Sequence, residues 1–304
     1  MTETIHHVFH SMGIPVHITL VGIKKSEARK YVSEAENIFH EYDKRFSRFN
    51  ETSELHKLNT AGGQWFTASL PMFQVLKKCV ALAEETRGAF DPSVGGVLAS
   101  YDYGLPSNFT PPSPPLTYRN IEFNDRELSV RLAPAQVLEP ASIVKGMAID
   151  EAGKSLIKVP GFLINAGGDI ITRGMYENDA PWNIAIEDPR NPDAIVAAVT
   201  IQNGGMATSG TYQTKGANKG REWHHLVDMR TGKPSTGFAS ATVIANTCEE
   251  ADTEASLAIL LSETEAIARL EKRGLPYFLI RKDGRVSKNS AFAALEVPIS
   301  SLLK

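Results

Sequence analysis

Apolar and polar residues alternate from Ile14 to Leu20, with Ile14, Val16, Ile18 and Leu20 facing one way. A period of two predicts a half-buried strand. From Ser26 the period lengthens, and Ala28, Val32, Ala35, Ile38 and Phe39 fall on one stripe of a helix with Ser26 as its expected N-cap. A second helix is predicted over 69–86, carrying Phe73, Leu76, Val80 and Ala83 and stopping near Gly88, where glycine suits a left-handed cap. The short runs 121–123 and 128–132, on either side of Asn124-Asp125, read as a hairpin. Beyond a helix over 143–157, strands are predicted at 162–165, 183–187, 195–201, 223–227 and 241–245. A helix over 250–261 interrupts them and a strand at 277–280 closes the sheet. The short strand-to-strand links favour mixed or antiparallel pairing over a doubly wound parallel sheet. The expected fold is therefore α+β, with mixed or antiparallel sheets and packed helices, in a single domain over residues 1–304. The segment 106–115, crowded with prolines that lack donors and fix φ, is expected to be an exposed loop.

Composition narrows the function classes. With 304 residues, 42% hydrophobic and 22% charged, the chain is ordinary for a soluble protein and long enough for a sizeable core. A net charge of −3 leaves no electrostatic footprint for nucleic acid or an anionic membrane. No apolar run approaches the roughly 18 residues of a membrane span. The N-terminus, Met-Thr-Glu-Thr-Ile-His-His, lacks the regions of a secretory signal, so a cytoplasmic protein is expected unless a leader has been removed. Cys79 and Cys248 are the only cysteines and form no C-x-x-C pair, which argues for two buried thiols over a disulfide framework or zinc site.

Several clusters bring together residue types that carry chemistry. Asn165-Ala-Gly-Gly-Asp169 follows an apolar strand; paired glycines expose backbone N–H groups and admit a phosphate or ring, although a tight turn explains Gly-Gly alone. Lys145, at a loop-to-helix junction among small and apolar residues, can meet an anion that a helix N-terminus already favours. His225 and Asp228 set a base that titrates near neutral pH beside a carboxylate able to orient it; equally, one histidine of His224-His225 is exposed and the other packs. Asp252 and Ser256 lie one helical turn apart on one face, two hard oxygen donors of the kind magnesium takes. Asp91-Pro92 is explained by helix-capping chemistry.

The order of these clusters says more than any one of them. Met12-Gly13, Phe46-Ser-Arg-Phe49 with Ser53-Glu-Leu55 and Asn59, Ala89-Phe-Asp-Pro92, Lys145-Gly146 with Asp150, Asn165 to Asp169, Thr208-Ser-Gly-Thr-Tyr212, His225 to Asp228 with Thr231-Gly232, and Ala251-Asp252 together resemble the ApbE family of FAD:protein FMN transferases. The resemblance runs from residue 12 to about residue 260. It implies a compact α+β fold, FAD as substrate and Mg2+ as metal. The acceptor it implies is a flavoprotein with a Ser or Thr target. By position, Met12, Phe49, Ala89, Phe90, Asp91, Glu139, Lys145 and Leu226 fall on FAD contacts. Ser142 (through its carbonyl), Asp252 and Ser256 fall on the metal, and His225 falls on a histidine near the flavin phosphates suited to proton transfer. Ile14 stands where the family usually has Thr, Glu139 where Asp is usual, and Ser256 where Thr is usual. Beside the transferase that the resemblance implies stand two alternatives, a magnesium-dependent FAD pyrophosphatase and a non-catalytic FAD-binding protein, with a flavin oxidoreductase third. They set neither the acceptor nor the oligomeric state.

Overall fold

The computed structural model describes residues 3–101, 103, 110, 112–212, 215–218 and 221–303. Of the proline-rich segment 106–115, residues 106–109 and 111 lie outside them. In chain order the first elements are β1 (Glu3–Ser11), β2 (Ile14–Ile23), α1 (Lys25–Phe46), α2 (Glu54–Asn59), β3 (Trp65–Thr67) and α3 (Leu70–Glu85). There follow α4 (Gly95–Ala99), β4 (Glu122–Asn124), β5 (Ser129–Arg131), α5 (Ala141–Ser155), β6 (Gly161–Ala166), β7 (Asp169–Arg173), β8 (Trp182–Asp188) and β9 (Asn191–Ile201). The remainder are β10 (Gly204–Gly210), β11 (Lys215–Asn218), β12 (Arg221–His224), β13 (Val227–Asp228), β14 (Lys233–Pro234), β15 (Phe238–Ala245), α6 (Cys248–Leu260), α7 (Glu263–Arg273), β16 (Tyr277–Arg281), β17 (Val286–Lys288) and α8 (Ser290–Ala293).

The chain resolves into two compact units, each assembled from separated segments. The first draws on Met1–His40, Lys145–Gly210 and Gly237–Lys304. Its centre is an eight-stranded sheet in the order β1-β2-β6-β7-β10-β15-β16-β17, and every neighbouring pair is antiparallel. The alternation read between Ile14 and Leu20 is its cause at β2: Val16, Ile18 and Leu20 are buried while Pro15 and His17 face out. The hairpin β8–β9 adds Ile184, Ile186, Val199 and Ile201 to a core shared with Met206, Ile244, Phe278 and Phe292.

Helix α6 packs across β10 and β15. Two glycines permit its closeness. A Cβ on Gly146 of α5 would lie 2.5 Å from Glu249 Cα, and one on Gly205 of β10 would collide with the Thr247–Cys248 peptide. Asp150 of α5 completes the junction by accepting the Cys248 and Glu249 N–H groups at 2.8 and 2.9 Å. Those donors have no partner within the helix, so the carboxylate caps it.

The second unit comprises Glu41–Val144 and Thr211–Thr236. It holds the three-stranded sheet β3-β5-β4 and the small pairs β11–β12 and β13–β14. Helix α3 buries Met72, Phe73, Val75, Leu76, Cys79 and Ala83, and Ser69 caps it by accepting the Met72 N–H. The predicted hairpin is β4–β5. Both cysteines are buried and neither is in a disulfide.

Three expectations are corrected. Helix α1 starts at Lys25, because the Lys24 carbonyl takes the first helical bonds from Glu27 and Ala28; Ser26 therefore sits inside it. The strand expected at 223–227 is two strands, β12 paired with β11 and β13 paired with β14, separated by a bend at His225. Tyr277–Arg281 does not close the sheet, since β17 pairs outside it.

Candidate active site

In the first unit the charged centre is built from α5, β7 and α6. Lys145 Nζ lies 2.7 Å from Asp169 Oδ2, and the Asp169 side chain is 1% exposed. Burial alone would lower the lysine's pKa, but the charges of Asp169 and then Asp252 outweigh it and hold the ammonium above its usual range. Asp252 is buried on α6, and its Oδ2 has no hydrogen-bond partner. Burial, then the nearby Asp169 charge, push its carboxyl well above the usual range, against the pull of Lys145 and the Gly146 N–H. One turn on, the buried Ser256 hydroxyl is hydrogen-bonded to Ser209 of β10 at 3.0 Å.

With both carboxylates ionised, two negative charges and one ammonium leave a surplus negative charge in a water-poor place, with one carboxylate oxygen unsatisfied. A hard cation with oxygen ligands would satisfy both conditions. Among the described residues no group of three or more His, Cys, Asp or Glu is placed to hold a metal. A cation at Asp252 would therefore complete its shell with neutral oxygens and substrate phosphates, a pattern that suits magnesium. The donor set fits the expected metal.

Also in this unit, Met12 and Gly13 form the β1–β2 turn, with φ of 53° and 75°. Ile14 packs on the glycine turn before Asp169: its Cδ1 lies 3.2 Å from where a Gly167 Cβ would stand. The apolar side chain at a position the family usually fills with Thr is thus in use as packing.

The second unit gathers another set. The Ala89 carbonyl accepts the Met229 N–H at 3.2 Å, tying the Ala89–Pro92 segment to the turn that follows β13. The Pro92 carbonyl accepts the Glu139 N–H at 2.7 Å. Asp91 is 2% exposed, and its two oxygens accept the Ser93 and Tyr118 N–H groups, each at 2.8 Å. Burial raises its carboxyl pKa, and those two N–H bonds oppose the rise. Glu139 forms a buried ion pair with Arg48; burial raises its pKa and the Arg48 charge counters that. The Arg48 guanidinium stands 4.6 Å from the ring centroids of both Phe49 and Tyr103. Phe49 is 67% exposed, whereas Ala89, Phe90 and Leu226 are buried.

His225 is half-buried in the bend between β12 and β13. His224 is the one that packs, with Nε2 3.0 Å from the Ser235 carbonyl. The Asp228 carboxylate takes the Arg230 guanidinium at 2.8 to 3.1 Å and the Arg230 N–H at 2.9 Å. Ser142 lies in the first turn of α5.

The structure thus brings Lys145 and Asp252 into one electrostatic centre, with Ser256 a turn away. It separately brings Phe49, Ala89–Asp91, Glu139 and the segment after Leu226 into one bonded set. Asp169, Ser209 and Arg48 were not singled out from the sequence. Each lies inside a motif that was, so position within Asn165–Asp169, Thr208–Tyr212 and Phe46–Phe49 was the available signal.

A family model described as the ApbE family matches residues 12–279. The FAD:protein FMN transferase of Haemophilus influenzae is 29% identical over 304 aligned residues, covering 92% of this chain and 88% of its own length. That of Vibrio cholerae is 25% identical, covering 92% and 88%. Among solved structures, the ApbE protein of Thermotoga maritima is similar with a TM-score of 0.87 at 23% identity, over 97% of this chain and 100% of that one. The Vibrio cholerae flavin transferase ApbE gives 0.83 at 22% identity, over 97% and 100%. These likenesses establish the α+β fold, and no helix among the described residues is long and apolar enough to cross a membrane.

Proposed function

The chain belongs to the ApbE family, whose model spans most of its length, and on that footing we propose that it transfers FMN from FAD to a Ser or Thr hydroxyl of an acceptor flavoprotein, releasing AMP. The observation that carries this reading is the buried Asp252 carboxylate with an unsatisfied oxygen, beside a charged Lys145.

Lys145 meets the FAD pyrophosphate as a fixed cation. Asp252 and Ser256, with the Ser142 carbonyl, would hold Mg2+, which would supply positive charge against the pyrophosphate and against the charge that develops on departing AMP. The exposed Phe49 ring offers the flavin a stacking surface. Met12, Ala89, Phe90, Asp91, Glu139 and Leu226 complete the FAD contacts. Because both Asp91 oxygens already accept backbone N–H groups, its part is to shape the Ala89–Pro92 backbone. His225 takes the proton of the attacking hydroxyl. That oxygen bonds to the phosphorus nearer riboflavin, the bond from this phosphorus to the bridging oxygen breaks, AMP leaves, and a phosphodiester joins FMN to the acceptor.

The test is mass spectrometry of protein, FAD, Mg2+ and a peptide with the Asp-x-x-Ser/Thr-Gly-Ala-Thr pattern that the family resemblance implies. The peptide should gain one FMN, with an equal amount of AMP. AMP and free FMN with unmodified peptide would mean that water is the acceptor, and intact FAD throughout would mean a binding protein.

A further inference from the structure

A half-buried ammonium beside a carboxylate meant for a divalent cation is a rival for that carboxylate. Lys145 feels the charges of both Asp169 and Asp252, yet its Nζ contacts Asp169 at 2.7 Å while Asp252 Oδ2 stays without a hydrogen-bond partner. Asp169 is built to win this competition. It opens β7 immediately after the Gly167-Gly168 turn, where φ values of 64° and 99° fix the chain's direction. Its Oδ1 faces the Thr208 N–H of β10 at 3.4 Å, and β7 and β10 are paired strands of the central sheet. A carboxylate held by two strands and almost wholly buried cannot follow the lysine, so the lysine comes to it. Asp252, on α6, is then left with an oxygen that accepts no hydrogen bond from the protein.

We propose that Asp169 is a positioning residue: it holds Lys145 away from Asp252 and so keeps the Asp252 carboxylate open to a divalent cation. The inference rests on the reading of Asp252 as a cation ligand. It adds that Lys145 is prevented from closing the cation site by its ion pair with Asp169.

The experiment is Mn2+ binding to the full chain without flavin, followed by electron paramagnetic resonance, in wild type, D169N, K145M and D169N/K145M. The side-chain amide introduced by D169N retains an acceptor for the Thr208 N–H, and thermal unfolding with circular dichroism checks each fold. In D169N the freed Lys145 pairs with Asp252, and the apparent Mn2+ Kd rises at least tenfold. Removing Lys145 as well restores binding by at least tenfold in the D169N background, whereas K145M alone changes the wild-type Kd by no more than threefold. A purely structural role for Asp169 gives no such rescue. If K145M changes Mn2+ affinity by the same factor in both backgrounds, Lys145 is not being held off and the proposal fails. Should D169N not fold, the single K145M variant still decides: tightening of tenfold or more shows that Lys145 already competes in wild type and overturns the inference, and a change within threefold upholds it. Wild type that binds no Mn2+ would instead remove the underlying cation reading, an outcome distinct from a wild type that binds while D169N is unaffected.

Discussion

Gly146→Ala sets two rules of helix chemistry against each other, and the structure decides between them. In an exposed helix interior, alanine is favoured over glycine by about 1 kcal/mol. At position 146 the new methyl carbon would stand 2.5 Å from Glu249 Cα and 2.8 Å from Glu249 N, whereas ordinary contact begins near 3.4 Å. The obstacle is backbone, so no side chain can rotate away. Helix α6 must retreat from α5 by roughly 1 Å, and overpacking of that kind costs about 1–3 kcal/mol. The same retreat lengthens the two bonds from Asp150 to the Cys248 and Glu249 N–H groups; hydrogen bonds to charged acceptors contribute about 1.5–3 kcal/mol each, and partial loss of both adds about 1–3 kcal/mol. Set against the propensity gain, the net destabilisation is about 1–5 kcal/mol. At about 2 °C per kcal/mol, the low end of the range for large domains and the one that suits a chain of 304 residues, Tm should fall by roughly 2–10 °C. Differential scanning fluorimetry or calorimetry reads this directly. A G146A protein with an unchanged or higher Tm would refute the claim that α5 and α6 meet backbone to backbone, and with it the account of how Lys145 and Asp252 are placed.

Asp252→Ala should cut metal-dependent turnover by about 10²-fold or more, the order seen when one electrostatic stabiliser is removed, while Tm without added cation does not fall, since a buried carboxylate with an unsatisfied oxygen is lost; retained activity would remove the metal assignment. His225→Ala should slow FMN transfer by about 10²–10⁴-fold with FAD affinity changed far less, and equal losses in both would make it a binding residue. For Asp91 the sign follows from its raised carboxyl: a folded-state value above the unfolded one adds stability while the group is protonated, and that stability is lost as pH rises through the folded value. The stability of wild type relative to Asp91→Asn, from urea unfolding at a series of pH values, should therefore decline from the usual carboxylate range upward, and a difference that grows with pH would contradict it.

The parts of the fold legible in sequence were β2 and α3, whose pattern is set by one buried face, and the apolar strands β6 and β15. Strand β10 was invisible because its sequence, Gly-Gly-Met-Ala-Thr-Ser-Gly, has neither alternation nor bulk. Its small residues answer to the backbone of α6 pressed against Gly205, a demand made by an element some forty residues away. The stretch 223–227 looks continuous, yet its two ends pair with different partners and His225 sits at the break. The site shows the same division. Asp252 and Ser256 could be placed one turn apart from spacing alone, but the links from Ser256 to Ser209 and from Lys145 to Asp169 join residues far apart in the chain. No window of sequence contains them, and only the resemblance put their motifs in order.

The charged centre is hard to explain as a device for stability. A buried ion pair at best roughly offsets its own desolvation, and an extra unpaired charge beside it costs several kcal/mol. Here Asp169 and Lys145 already form the pair, and Asp252 is the surplus, driven toward its neutral form by burial and by the Asp169 charge. An apolar residue at 252 would serve the fold better. Instead the chain devotes two glycines, a helix-capping aspartate and the junction of α6 with α5 and β10 to holding that surplus carboxylate at a fixed depth. Rigid backbone on both sides, with one acidic oxygen unsatisfied, is the arrangement a binding site requires and a core does not. With a cation bound at Asp252 as proposed, the free energy held in such a site would be recovered, and the stability of α6 would then be coupled to cation binding.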